Sequence, residues 1–267
     1  MANEYQKINT LFLRDESNII IPDKFTCPEF SYLKDCLWEC TEKIDGTNIH
    51  IDIDYDFFYQ HPEAGDNDDW ERHFTICGRT ANAQIPNHLL AKLKEIFQIT
   101  GEYDDIDDAH MIDRVFCDAM ESAMSRHAEK LHISIYGEGY GVKIQKGGNY
   151  IKNDVGFILF DVKVNDWWLT REACEAVAEK LEIPIVPLIG YMTIPEAIEY
   201  VKKGFKSTIA ENPDYDAEGL VLKTPHGLRF RNGQRIITKI KTCDFQKYRN
   251  KYGDAHVEQT PNPNYNK

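Results

Sequence analysis

The sequence predicts an α+β fold with antiparallel sheets flanked by helices, and three observations carry that expectation. Short runs rich in β-branched or aromatic residues recur along the chain, each bounded by Gly, Asp or Asn. Helical patterns fall between them at irregular intervals, not in the strict alternation of a doubly wound sheet. The chain has 267 residues, 42% hydrophobic and 28% charged, which is enough to bury a core and argues against wholesale disorder.

Taken in order, Leu37 to Thr41 and Ile49 to Ile53 read as strands on either side of a tight turn. The polar, acidic stretch Gln60 to Arg72 reads as a loop. Asn87 to Gln98 places Leu89, Leu90, Leu93 and Ile96 on one helical face. Met111 to Leu131 reads as one longer helix. Ile133 to Tyr136 and Gly156 to Val164 are strand-like. Thr170 to Leu181 opens on a good N-cap residue, and in Thr193 to Phe205 Thr193 and Glu196 stand at capping-box spacing. Gly219 to Lys223 and Arg235 to Ile240 are again strands. Cys243 to Tyr252 is a terminal helix stopped by Gly253, and Thr260 to Lys267, with its prolines and asparagines, reads as a frayed tail. No internal repeat or low-complexity tract is present.

Composition excludes several classes. No apolar run approaches the roughly 18 residues of a membrane span, and Met1-Ala2-Asn3-Glu4 lacks a signal pattern. A protein of the cytoplasm, or of a host cytoplasm if viral, is expected, without a membrane partner and as a monomer. The seven cysteines form no CxxC pair, so a structural zinc site and a disulfide framework are disfavoured. The net charge is -13, yet eight Lys or Arg residues against Asp244 alone give Arg229 to Lys251 a local charge of +7. A phosphate-binding face needs local positive charge, so this segment suits either a nucleic acid or a plain solvated surface. The histidines, including His50, His127 and His132, read as surface or core residues and not as metal ligands.

The chemistry concentrates in Glu42-Lys43-Ile44-Asp45-Gly46-Thr47-Asn48. A lysine before a glycine turn sits at the lip of a sheet, and a buried or cation-flanked lysine can lose its proton and act as a nucleophile. Taken alone such a lysine is usually only exposed. Four further segments change the reading. Tyr136-Gly137-Glu138-Gly139-Tyr140-Gly141 and Ala217-Glu218-Gly219-Leu220-Val221 each carry a carboxylate at a strand end. Phe157-Ile158-Leu159-Phe160-Asp161 is an aromatic strand. In Ile237-Thr238-Lys239-Ile240-Lys241 the alternation puts both lysines on one face.

This ordered set resembles the covalent nucleotidyltransferase superfamily of polynucleotide ligases and mRNA capping enzymes, and the ATP-dependent RNA ligases most of all. Lys43-x-Asp45-Gly46 looks like the nucleophile motif, Arg79 looks like the arginine after the nucleophile strand, and Tyr5 to Leu11 is similar to the lead-in of RNA ligases. The resemblance implies an ATP-grasp-like adenylation fold over residues 1–242, followed by a short basic helix and tail over 243–267 with no room for an oligonucleotide-binding barrel. It implies attack of Lys43 on the α-phosphate of ATP, giving a lysyl-AMP, then an adenylylated 5′ end and joining of 3′-OH and 5′-phosphate RNA ends, as in RNA repair. Nucleotide contacts would come from Glu42, Asn48, Arg79, Glu138, Phe160, Glu218, Lys239 and Lys241. Glu218 and Glu138 would hold Mg2+ or Mn2+. Arg229, Arg231, Lys247 and Lys251 would contact RNA, on a nicked duplex or on free ends. One position departs from the pattern: nick-sealing RNA ligases often carry His where this chain has Asp45. Three alternatives stay open: a capping-type guanylyltransferase, a minimal DNA ligase, and a catalytically limited RNA-binding relative.

Overall fold

The computed structural model of the chain describes residues 4–59, 69–80, 83–99, 110–145 and 150–253. The chain begins with β1 (Asn9–Thr10), β2 (Phe12–Arg14), β3 (Ile20–Phe25), α1 (Pro28–Tyr32) and β4 (Trp38–Glu42). It continues through β5 (Thr47–Phe58), β6 (Asp69–Gly78), α2 (Asn87–Ile96), α3 (Met111–Val115), α4 (Cys117–Met124), β7 (Lys130–Gly141), β8 (Val155–Val164), β9 (Trp167–Trp168) and α5 (Arg171–Lys180). It closes with β10 (Leu188–Met192), α6 (Ile194–Lys203), β11 (Gly219–Lys223), β12 (Ile237–Lys241) and α7 (Thr242–Tyr252). These form two compact units, each built from two stretches of chain: Met1–Tyr5 with Gly46–Ile185, and Gln6–Asp45 with Val186–Lys267. The architecture is the expected α+β, with antiparallel pairing dominant and no closed barrel among the described residues.

The first unit is an antiparallel sheet in the order β6-β5-β7-β8-β9. Period-two alternation along β5 sends Ile49, Ile51, Ile53, Tyr55 and Phe57 into one core with Ile133 and Ile135 of β7 and Leu89 and Leu93 of α2. The register of β8 against β7 shifts between Tyr136 and Gly137. That extra residue switches the parity of β8: Val155, Phe157 and Leu159 enter the core, then Val162, and Phe160 is left outside it. On the other face of β5 and β7 the cross-strand pairs are polar: Asn48 with Glu138, His50 with Tyr136, Asp52 with Ser134 and Asp54 with His132.

The second unit holds a sheet in the order β1-β12-β11-β4-β10, in which β1 runs parallel to β12 and the other pairs are antiparallel. One face carries Trp38, Cys40, Leu220, Leu222 and Ile240, packed with Ile194, Ala197, Ile198 and Val201 of α6 and Phe245 of α7. The α6 capping box forms as expected, with Thr193 and Glu196 bonded reciprocally. Thr170 caps α5 by accepting from the Ala173 amide. Gly253, at φ 77°, ends α7.

Two expectations are corrected. Residues 111–131 are not one helix. Phe116 leaves helical geometry with its ring buried, α4 ends at Met124, His127 turns the chain at φ 53°, and Lys130 already belongs to β7. The alternation Leu131, Ile133, Ile135 is claimed by the sheet, whose tertiary burial outweighs local helix propensity. The expected loop Gln60 to Arg72 yields its last residues to β6, where Arg72 is buried against Asp113; residues 60–68 lie outside the described residues. So do the acidic cluster at 104–108 and the tail at 260–267. Among the described residues no helix is long and apolar enough to cross a membrane.

Candidate active site

Lys43 directly follows β4, and its amide donates to the Gly219 carbonyl, so the ladder between β4 and β11 extends one residue past the strand. Across β11 the next partner is Lys241, paired with Gly219 in register. Lys43, Gly219 and Lys241 therefore form one row across three strands. The row needs a glycine at its centre: a Cβ on Gly219 would lie 2.0 Å from the Ile240 carbonyl oxygen. Glu218, at the head of β11, serves both lysines. Lys43 Nζ lies 2.5 Å from its Oε2 and Lys241 Nζ lies 2.6 Å from its Oε1. A carboxylate thus bridges the two lysines. Lys239 stands one row behind, in register with Val221, which in turn pairs with Thr41.

The charges are coupled further. Burial first, then the nearby Glu218 carboxylate, raises the pKa of Asp45, while Lys43 and Lys241 pull it down. Burial acts to lower the Lys241 pKa, but the bond to Glu218 leaves it raised overall. A carboxylate whose ionisation is opposed by burial and by a neighbouring carboxylate is a fitting place for a divalent cation, which favours the ionised form. The described residues hold no cluster of three potential ligands, so the remaining oxygens would have to come from phosphate and water.

Glu42 does not join this row. As its neighbour on an alternating strand it points the other way, beside Leu220, and only 1% of it is exposed. Its carboxylate accepts from Ser207 Oγ at 2.5 Å, from the Thr208 amide at 2.9 Å and from Thr208 Oγ1 at 2.8 Å. In this arrangement the Glu42 carboxylate anchors the 207–208 segment. Ser207 and Thr208 gave no signal in the sequence because they sit in an aperiodic loop.

In the first unit, Gly46 ends the nucleophile motif. A Cβ there would lie 2.3 Å from the Gly139 carbonyl oxygen and 2.8 Å from Glu138 Cγ, so only glycine lets this turn lie against β7. Asn48 and Glu138 are register partners, and Asn48 Oδ1 is buried without a hydrogen-bond donor among the described residues. A buried amide oxygen without a donor is a position where a ligand's hydrogen-bond donor would be accommodated. Phe160 is half-buried, and Tyr5 meets it edge-on with ring centroids 4.9 Å apart. The Tyr5 hydroxyl donates to Asp161 at 2.5 Å, which gives the conspicuous lead-in residue a structural task. Arg79 is exposed just past the end of β6. Glu138 lies in the first unit and Glu218 in the second.

The basic segment is not one continuous face. Arg235 is buried, Lys239 and Lys241 lie in the strand already described, and Lys251 is held by Asp15 at 3.3 Å and Ser17 at 3.1 Å. Arg229, Arg231, Lys247 and Arg249 remain exposed.

Comparison with solved structures finds an RNA ligase of Naegleria gruberi. One structure, with ATP and Mn, has a TM-score of 0.49 and 15% identity, and the match covers 92% of this chain and 63% of that one. Another, with AMP and Mn, has a TM-score of 0.48 and 16% identity, covering 92% and 62%. A third, with PPi, has a TM-score of 0.44 and 16% identity, covering 94% and 64%. The present chain thus spans under two thirds of the length of those it is compared with. No match is found among curated proteins. The family profile described as RNA ligase matches residues 37–241, from the strand that leads into Lys43 to the lysine that shares its carboxylate, and on that match the chain belongs to the RNA ligase family.

Proposed function

We propose that the chain is an ATP-dependent RNA ligase whose nucleophile is Lys43, with residues 1–242 as its catalytic part. The observation that carries this reading is the Lys43–Glu218–Lys241 cluster, lying inside the family match. In the first step the deprotonated Lys43 amine attacks the α-phosphorus of ATP. A P–N bond forms, the bond to pyrophosphate breaks, and lysyl-AMP results. In the second, a 5′-phosphate oxygen of RNA attacks that phosphorus, and the amine departs and regains its proton. In the third, a 3′-OH attacks the adenylylated 5′-phosphate, giving the phosphodiester and AMP.

The residues take roles suited to their chemistry. In the observed arrangement the Lys43 amine is bonded to Glu218, so Glu218 must release it before attack. Lys239 and Lys241 neutralise charge that develops on the phosphates. Glu138 accepts from the ribose hydroxyls, Phe160 stacks on adenine, Arg79 contacts ribose or phosphate, and Asn48 positions the acceptor phosphate. Glu218 and Glu138, together with Asp45, would hold Mg2+ or Mn2+, and the ion would supply Lewis-acid polarisation of the phosphates.

The test is incubation with ATP and magnesium followed by peptide mass spectrometry. One AMP on Lys43 is expected, with ATP labelling better than GTP. A Lys43→Ala protein that still takes up the label overturns the assignment, and preferential labelling by GTP moves the reading to a capping enzyme.

A further inference from the structure

A second basic site lies away from the Lys43 row, within the second unit. Helix α6 ends in Lys202-Lys203-Gly204, and its C-terminal end stands beside α7. Between them is a depression of about 290 Å³, lined by Lys203, Lys206, Asp216, Thr242, Gln246 and Arg249. Three cations share it with one carboxylate, and that carboxylate is taken: Lys206 Nζ lies 2.8 Å from Asp216 Oδ1 and also donates to the Asp214 carbonyl at 2.7 Å. Lys203 and Arg249 have no carboxylate partner among the described residues. In a chain of net charge -13, two cations left unpaired side by side form a local excess that acidic neighbours could easily have cancelled. The Thr242 hydroxyl donates to the Ala217 carbonyl at 3.2 Å and keeps its lone pairs, while Gln246 adds an exposed amide donor.

We propose that this depression binds a backbone phosphate of the RNA strand, with Lys203 and Arg249 as its ligands and Gln246 as a supporting donor. The proposal deepens the ligase reading and rests on it for the identity of the strand. The chemistry favours a backbone phosphate over a base or nucleotide. The one aromatic ring at the site, Phe205, already packs against Tyr200 with centroids 4.9 Å apart. Arg and Lys donors around a roomy, solvated hollow match a phosphodiester, which takes charge-assisted hydrogen bonds from several directions. The site also explains why α7 carries cations on more than one face. Lys247 and Lys251 line a different hollow, beside Ser17 and Asn18, whereas Arg249 and Gln246 turn toward α6.

The experiment measures binding of a fluorescent single-stranded RNA to the full chain by anisotropy across a salt series. It compares the wild type, Lys203→Gln/Arg249→Gln, and Lys94→Gln/Lys180→Gln, a control that removes two positive charges elsewhere. Single-strand binding loses about 0.7 in the slope of log K against log salt for each phosphate contact removed. The site variant is therefore expected to lower that slope by roughly 0.7 to 1.4 and to weaken binding about tenfold near 0.1 M salt, with the control close to wild type. Labelling by ATP is measured in parallel and is expected to be unchanged in both variants. Equal behaviour of the two variants, an unaltered slope in the site variant, or a wild type that does not bind RNA overturns the proposal. A wild type that binds RNA but never takes label from ATP removes the ligase reading instead, and the slope comparison still decides whether the hollow holds a phosphate.

Discussion

At the scale of single residues, the sharpest feature is that Glu218 holds both Lys43 and Lys241. Its removal has two opposite effects. Freeing the Lys43 amine from a partly exposed ion pair gains about 1 kcal/mol or less. Losing a cation ligand and a group aligned with the transferring phosphate costs several kcal/mol of transition-state stabilisation. The second effect is larger, so Glu218→Gln is expected to reduce labelling by ATP about a hundredfold or more while the circular dichroism spectrum stays that of the wild type. Labelling near the wild-type level refutes the role. Lys43, Glu218, Lys239 and Lys241 were readable from the chain because reactive residue types beside glycines and strand ends are local signals. The task of Glu42 was not readable. Whether a strand residue faces its sheet's core depends on what packs there, and Ser207 and Thr208, which claim its carboxylate, are some 165 residues away in sequence.

At the scale of elements, the polar face shared by β5 and β7 makes a stability prediction. His132 Nε2 lies 3.6 Å from Asp52 and 2.9 Å from Ser134 Oγ, and Nδ1 lies 2.6 Å from Asp54. Asp52 first and then Asp54 raise its pKa from 6.5 to about 9, against the effect of burial. Burial acts in the same direction on the neighbouring His50 and there prevails over Asp52, so that its pKa is lowered, and His73 stands near Asp54 on β6. A histidine with a raised folded-state pKa stabilises the fold fully below its unfolded value and loses that contribution as pH climbs through the folded one. The wild type is therefore expected to lose about 2 kcal/mol of stability relative to His132→Gln between pH 6.5 and 9.5, a figure that discounts the half-exposed Asp54. Urea midpoints measured across that range check it; parallel pH profiles for the two proteins sink it. Elements with their own caps, such as α5 and α6, fell close to their sequence-derived bounds, because Thr170 and the Thr193–Glu196 pair act within one turn. Residues 111–131 did not, because a helix-compatible run was taken into a sheet whose pairing partners are distant in sequence.

At the scale of the whole molecule, the α+β class followed from the mixture of elements, but the division into two units did not. Each unit joins stretches from separate parts of the chain, and one of the three passages between them falls between Asp45 and Gly46, inside the Lys43-x-Asp45-Gly46 segment itself. Charge has the same long-range character. Four cations of the basic segment remain exposed without a carboxylate partner among the described residues, and two of them, Arg229 and Arg231, lie between β11 and β12. That connection leaves β11 after Lys223 and returns through β12 to Lys239 and Lys241, so it is tethered to those strands without contributing to the row of Lys43, Gly219 and Lys241. RNA approaching a chain of net charge -13 is repelled until it meets such local cations. Arg229→Glu/Arg231→Glu is therefore expected to leave labelling by ATP within about twofold of wild type, while sealing of a nicked RNA duplex falls about tenfold or more near 0.15 M salt, where the Debye length is ~8 Å and only close phosphates are felt. Single-turnover assays of the two steps separate the outcomes. A parallel fall in both assigns the arginines to nucleotide transfer, and undiminished sealing shows that RNA docks without them.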